Sequence, residues 1–169
     1  MKRTERFTFF WGGEFSNWYK RSFTVKGVKF NCGEQYMMYS KAMVFNDPKM
    51  AEMIMKIKEP KKQKELGRLV KGYNDEVWRA RSPSIMKAGL LYKFLQHRDL
   101  ADLLISTLGT RLVEASPHDT IWGVGLSETD PLILDEANWK GLNELGKVLD
   151  AVRSRVFELT AARESSPTP

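Results

Sequence analysis

A chain of 169 residues, 42% hydrophobic and 28% charged, fits one compact domain with a real core. Its 27 Lys and Arg against 21 Asp and Glu leave a net charge of +6, which draws anions such as nucleotides, phosphorylated sugars or nucleic acid. One cysteine and two histidines exclude an internal disulfide, a thiolate zinc cage and a histidine-rich metal centre, so neither metal nor cofactor is expected; no apolar run has the length of a signal peptide or membrane span, so the expected setting is cytoplasmic, with no membrane partner.

In chain order, the aromatic run Phe7 to Trp11 predicts a short strand ending at Gly12-Gly13. Ser22 to Val25 and Val28 to Phe30 flank Lys26-Gly27 and predict a tight hairpin. Asn31 is placed to cap a helix from Cys32 to about Val44. The break at Asn46-Asp47-Pro48 starts a second helix through Lys56, and Pro60 opens a third that ends near Gly72. Ser84 to His97 carries Ile85, Ala88, Leu91 and Leu95 at helical spacing, and Asp99 is placed to cap a further helix through Leu108. Arg111 to Ala115 predicts a strand, and Ser116 to Pro131 a loop with Pro117, Gly123 and Gly125. The last helix, about Leu142 to Leu159, sets Leu145, Val148, Leu149, Val152 and Val156 on one face. There is neither repeat nor linker. The expectation is a single α+β domain over residues 1–160, helix-rich with a few short strands, and a disordered polar tail over 161–169.

Three segments carry residues fit for chemistry. In Glu34 to Ala42, positions 34, 37, 38 and 41 share one helical face, which reads Glu, Met, Met, Lys. The apolar middle points inward and takes Glu34 and Lys41 toward the interior or a cleft, where burial perturbs pKa values. A capping box with Asn31 explains Glu34 equally well, and a side chain reaching to solvent explains Lys41. In Leu112 to Gly125, a strand feeds a loop with Glu114, Ser116, His118, Asp119 and Trp122 before Gly123. Glycine lets backbone approach a ligand and Trp122 offers a flat face, while Asp119 also suits a turn and Trp122 a core plug. In Trp139 to Lys147, Asn143 lies near the start of the last helix, whose amino end suits a phosphate, and Gly146 inside it implies close packing or ligand approach. No Walker loop, dinucleotide fingerprint or Gly-x-Ser-x-Gly elbow is present.

These segments, in this order, resemble the NADAR (YbiA-like) family of N-glycosidases. The markers are Phe15-Ser-Asn17, Glu34-Gln-Tyr with Lys41-Ala42, Leu66-Gly-Arg68, Trp78, Lys93-Phe94, Leu112-Val-Glu114-Ala-Ser116, Asp119 with Trp122-Gly-x-Gly125, and Gly141-x-Asn143-x-Leu-Gly146-Lys147. Gln35 stands where many members have His, removing a proton-transfer group beside Glu34. Asp150 stands where Met is common, a change expected to affect packing only. The resemblance implies hydrolysis at the anomeric carbon of a phosphorylated ribosyl compound, in one of two substrate types. One is ADP-ribose attached to guanine in nucleic acid; the other is the pair of reactive early riboflavin-pathway intermediates. It places Glu34 as principal acid/base, Asp119 as second carboxylate or ribose ligand, and Lys41 as phosphate ligand or amine nucleophile. Trp78 and Trp122 would frame or stack the base, Arg68 and Lys147 would hold phosphate, and Asn17, Glu114, Gly123 and Asn143 complete the substrate contacts. The rivals are a non-catalytic module that binds ADP-ribose or a nucleotide, and a basic nucleic-acid-binding protein, though no helix-turn-helix or RNA-binding motif is present.

Overall fold

Strand β2 (Phe7–Phe10) lies between two partners, antiparallel to β1 (Lys2–Arg3) and parallel to β5 (Arg111–Glu114). A central strand covered on both faces has no use for polar alternation, and all four of its residues are buried. Its one hydroxyl, Thr8 Oγ1, is satisfied by Thr110 Oγ1 at 2.6 Å. A parallel pair requires a crossover, and here the crossover holds most of the helices. The computed structural model describes residues 1–164, with six α-helices and five short strands among them. By contacts the chain divides into two compact units, Ser16–Lys93 and the remainder.

In the unit formed by Met1–Phe15 and the chain from Phe94 onward, the core gathers Phe7, Phe9, Val113, Ala115, Val124, Leu126 and Ile133, with Trp139 packed against it. Helix α6 (Glu144–Glu164) packs on β5 and on α5 (Arg98–Ile105). It buries Leu145, Val148, Leu149, Val152 and Val156, the stripe that the spacing predicts. Asp99 lies inside the first turn of α5, whose N-cap is His97 without a side-chain cap, so the expected aspartate cap does not form. Of the tail expected over 161–169, residues 161–164 are the last turn of α6, as Ala161 and Ala162 favour, and 165–169 lie outside the described residues.

Gly146 shows how closely α6 meets β5: a Cβ there would lie 2.1 Å from Leu112 O and 2.5 Å from Asn143 Nδ2. Gly146→Ala should therefore destabilise the protein by about 1–3 kcal/mol, although alanine is the better helix former. Urea unfolding checks this; a higher midpoint would mean that α6 moves aside at little cost.

In the unit Ser16–Lys93, strands β3 (Phe23–Val25) and β4 (Val28–Phe30) form the predicted hairpin. Lys26 at φ 47° and Gly27 at φ 82° supply the two positive φ values of the turn. Helix α1 (Gly33–Val44) packs on α2 (Pro48–Lys56), α3 (Pro60–Gly67) and β4. Asp47 caps α2 as its sequence implies, accepting from Met50 N–H at 3.2 Å. The N-cap of α1 is Cys32, not Asn31, and it gives no side-chain cap. Asn31 instead donates to Lys58 O and accepts from Gln63 Nε2, so tertiary partners outcompete the local cap. Helix α3 stops five residues before Gly72, and α4 (Asp75–Gln96) starts nine residues before Ser84. Asn74 Oδ1 caps the α4 start through Val77 N–H, and the helix runs on with Pro83 inside it. No helix among the described residues is long and apolar enough to cross a membrane.

Candidate functional site

The candidate residues fall into the two units, and each group has its own local logic. Asn17, Glu34, Lys41, Arg68 and Trp78 belong to Ser16–Lys93. Glu114, Asp119, Trp122, Gly123, Asn143 and Lys147 belong to the other.

Glu34 is the second residue of α1, and its N–H donates to Asn17 O at 2.8 Å. Its side chain is only 5% exposed, and Oε2 accepts from Trp18 Nε1 at 3.2 Å. No capping box forms with Asn31. Gln35 takes that place, its Oε1 accepting from Asn31 N–H while Nε2 donates to Ile54, Met55 and Ile57 carbonyls. The residue that departs from the family's Glu-His is thus a clamp between the start of α1 and the end of α2. Gly33 lets Asn17 approach: a Cβ there would lie 2.8 Å from Asn17 Oδ1. That oxygen is buried and accepts no hydrogen bond, so it is an acceptor a ligand hydroxyl can satisfy.

Lys41 is 9% exposed and makes no ion pair among the described residues. Its Nζ lies 4.1 Å from the Tyr73 ring centroid. Burial pushes its pKa down and the Arg68 guanidinium pushes it further, while Asp75 and Glu34 oppose. Tyr73 donates to Asp75 Oδ1 at 2.8 Å, and burial, then Asp75, holds its hydroxyl above the usual range. Arg68 is the exposed C-cap residue of α3. Trp78 is buried on α4, which suits it to framing rather than to offering an open face.

The other group builds a loop. Asp119 Oδ1 accepts from the N–H groups of Ile121 at 2.9 Å and Trp122 at 2.8 Å, an aspartate turn that sets Trp122 half-buried. The N–H groups of Leu142, Asn143, Glu144 and Leu145 donate to the carbonyls of Thr120, Gly123, Ile121 and Trp122 respectively. The first two helical amides of α6, Glu144 and Leu145, are thereby used, which corrects the expectation of a phosphate site at that helix end. Gly123 is forced by close backbone, with Asp119 O and Glu114 O at 2.9 and 3.0 Å from any Cβ. Asn143, at φ 54° and fully buried, accepts from Glu114 N–H and donates to Leu112 O, both at 3.0 Å, so its amide clamps the β5 edge. Lys147 is exposed and pairs with Glu144 at 2.9 Å. Asp150 does more than pack: it accepts from Leu112 N–H and pairs with Arg153, while burial raises its pKa.

Sequence reasoning passed over Trp18, Tyr73 and the role of Lys93. Trp18 directly follows the Asn17 marker, and an indole N–H beside a candidate carboxylate was a usable signal. Lys93 is fully buried, with Nζ 5.5 Å from the Tyr19 centroid, and its helix neighbours Leu90 and Phe94 marked that face as interior. Cys32 is buried against Gln63, and its thiol is raised chiefly by burial, so it is a poor nucleophile. Among the described residues no three His, Cys, Asp or Glu converge to hold a metal ion.

A model described as the NADAR domain matches residues 9–157. Protein irg-1 of Caenorhabditis elegans is 40% identical, with 92% of this chain and 82% of that protein aligned. N-glycosidase R617 of Acanthamoeba polyphaga mimivirus is 36% identical over 89% of this chain and 96% of its own. The NMR structure of the E. coli protein YbiA superimposes with a TM-score of 0.77 at 26% identity, covering 99% of this chain and 92% of that one. The mixed, helix-rich α+β architecture is the one this neighbour has.

Proposed function

The chain belongs to the NADAR domain family, and on that premise we propose that it is an N-glycosidase acting at the anomeric carbon of a phosphorylated ribosyl compound. The observation that carries the chemistry is Lys41: a buried ammonium that makes no ion pair among the described residues, held below its ordinary pKa by burial and Arg68, on the helix that also bears Glu34.

The steps balance with these two groups and one water. Glu34 protonates the ring oxygen as the C1–O bond breaks, opening the furanosyl ring to a C1 iminium of the nitrogenous base. The Lys41 amine adds to C1 and gives its surplus proton to the Glu34 carboxylate, which passes that proton to the departing nitrogen as the C1–N bond to the base breaks. The Schiff base left on Lys41 takes up water, which returns the amine and releases the sugar as an aldehyde that recloses. Asn17 Oδ1 would accept from a ribose hydroxyl, Arg68 would pair with phosphate, and Trp78 would frame the pocket wall. Glu114, Asp119, Trp122, Gly123, Asn143 and Lys147 remain candidates on their match to the family's motifs. Among them Trp122 is offered for stacking, Lys147 for phosphate, and Asp119 as shaper of the loop. A single reduced cysteine suits the cytoplasm.

The test offers the purified protein both substrate types, ADP-ribosylated guanosine and the early riboflavin-pathway intermediates, in buffer with a chelator. Mass spectrometry should detect the freed base or amine together with the matching ribosyl phosphate. Retention of an intact ligand with no release from either type would mean a binding module instead.

A further inference from the structure

Trp18 is a large side chain left 44% exposed, yet its one polar atom serves a buried group: Nε1 donates to Oε2 of Glu34, which is 5% exposed. The contact is built from both sides. Tyr19 N–H donates to Ser16 O and Trp18 N–H to Ser16 Oγ, each at 3.1 Å, so a serine turn fixes the backbone from which the indole projects. Asn17 O accepts from Glu34 N–H at 2.8 Å. Gly33, where a Cβ would lie 2.8 Å from Asn17 Oδ1, lets that turn close on the start of α1. Residues 17 and 18 are thus tied to residue 34 twice, once through the main chain and once through side chains. Packing asks for the ring and not for the N–H, since phenylalanine would cover much of the same surface. The donor needs a reason of its own.

An indole N–H donates and never accepts, and it keeps its proton throughout the pH range in which carboxyl groups titrate. A carboxylic acid carries its proton on one oxygen, and its carbonyl oxygen is the better acceptor. A fixed donor on Oε2 therefore keeps Oε2 as the carbonyl oxygen and leaves the proton to Oε1. When Glu34 ionises, the same bond becomes charge-assisted and stronger, so the indole stabilises the carboxylate that proton donation leaves behind. In the proposed steps Glu34 gives a proton to the ring oxygen, takes one from the Lys41 adduct and gives it to the departing nitrogen. Rotation of the carboxyl group would exchange its two oxygens between these transfers. A pinned Oε2 prevents that exchange and keeps the transferring atom in one place.

We propose that Trp18 is the positioning residue of Glu34: its indole N–H pins Oε2 as an acceptor, so that each proton Glu34 gives or takes passes through Oε1. The transfers rest on the N-glycosidase reading, whereas the pinned carboxyl group does not. Other titratable groups lie near. The charge of Glu34 acts on Cys32 and on Lys41 of α1, and that of Lys93 on α4 acts on the same thiol. Thiols and ammonium groups ordinarily titrate well above a carboxyl group, and removal of Glu34 separates their effects from its own.

The test follows the indole by NMR in 15N-labelled protein, whose five tryptophans give five side-chain N–H signals. The signal that Trp18→Phe removes should move downfield in one step as rising pH ionises Glu34, and should stay flat in Glu34→Gln. With whichever substrate releases base, Trp18→Phe should lower kcat about 10-fold and leave KM within about 3-fold, because the ring is kept and one hydrogen bond to a charged group is lost. The limb of the kcat–pH profile that Glu34→Gln lacks should shift upward by at least ~0.5 unit in Trp18→Phe, since the carboxylate has lost a donor. A purely structural Trp18 would lower the urea midpoint and leave that limb in place, which overturns the proposal. Should Trp18→Phe not fold, wild type against Glu34→Gln still decides: one indole signal titrates in the first and not in the second. Indole signals that all ignore pH in the wild type, or a titration that survives unchanged in Glu34→Gln, would overturn the inference. Failure of the N-glycosidase reading is separable: it appears as no base release from any substrate, whatever the indole signal does.

Discussion

Glu34→Gln should leave the protein folded and lower turnover by at least ~100-fold, the usual scale for losing a positioned acid or base. The substitution is nearly isosteric, and the glutamine carbonyl can still accept from Trp18 Nε1, which holds Glu34 at 3.2 Å now. The backbone bond from residue 34 to Asn17 O is untouched. What disappears is the proton that the departing nitrogen needs, and the charge that stabilises a cationic C1. Base release by mass, with a circular dichroism spectrum as folding control, reads the effect. Because no capping box with Asn31 forms, loss of activity cannot be assigned to a frayed α1. Near-normal turnover in the folded variant would reduce Glu34 to a structural partner of Trp18.

What was legible beforehand divides by the range of the interaction that decides it. Asp47-Pro48 sets the start of α2 through a side chain and a fixed φ three residues from their target, and that start is where the sequence puts it. The α6 stripe and the shared face of Glu34 and Lys41 follow from a 3.6-residue period and likewise hold. The misplacements come from contacts between positions far apart in sequence. Asn31 has a local cap available and gives it up for Lys58 and Gln63, 27 and 32 residues away. Asn143 stands directly before α6, yet its amide serves Glu114 and Leu112 on a strand. The α4 start is missed for another reason: the apolar spacing from Ile85 to Leu95 marks only the later part of the helix, whereas its cap is Asn74, ten residues before Ser84. In the site, helical periodicity brings out Glu34 and Lys41 but has no means to show that Trp18 holds one and Tyr73 covers the other.

Lys41→Arg should abolish turnover, by at least ~1,000-fold, within the range for removing a covalent nucleophile. The replacement keeps the positive charge and can keep a cation–π contact with Tyr73, so phosphate attraction and local packing are largely preserved. A guanidinium does not deprotonate under these conditions and forms no Schiff base with a sugar aldehyde. Lysine at this position is suited to both, because burial first and Arg68 second lower its pKa and enlarge the neutral fraction. The attacking form is the free amine, so the nucleophilic limb of the wild-type pH–rate profile should rise through that lowered pKa and be missing in the variant. Borohydride added during turnover reduces the imine to a stable secondary amine, and digestion should place the added sugar mass on the peptide containing Lys41. The arginine variant should give no such adduct. If it turns over nearly normally, Lys41 supplies charge alone and water attacks C1 directly; charge is constant across the pair, so only nucleophilicity separates the two outcomes.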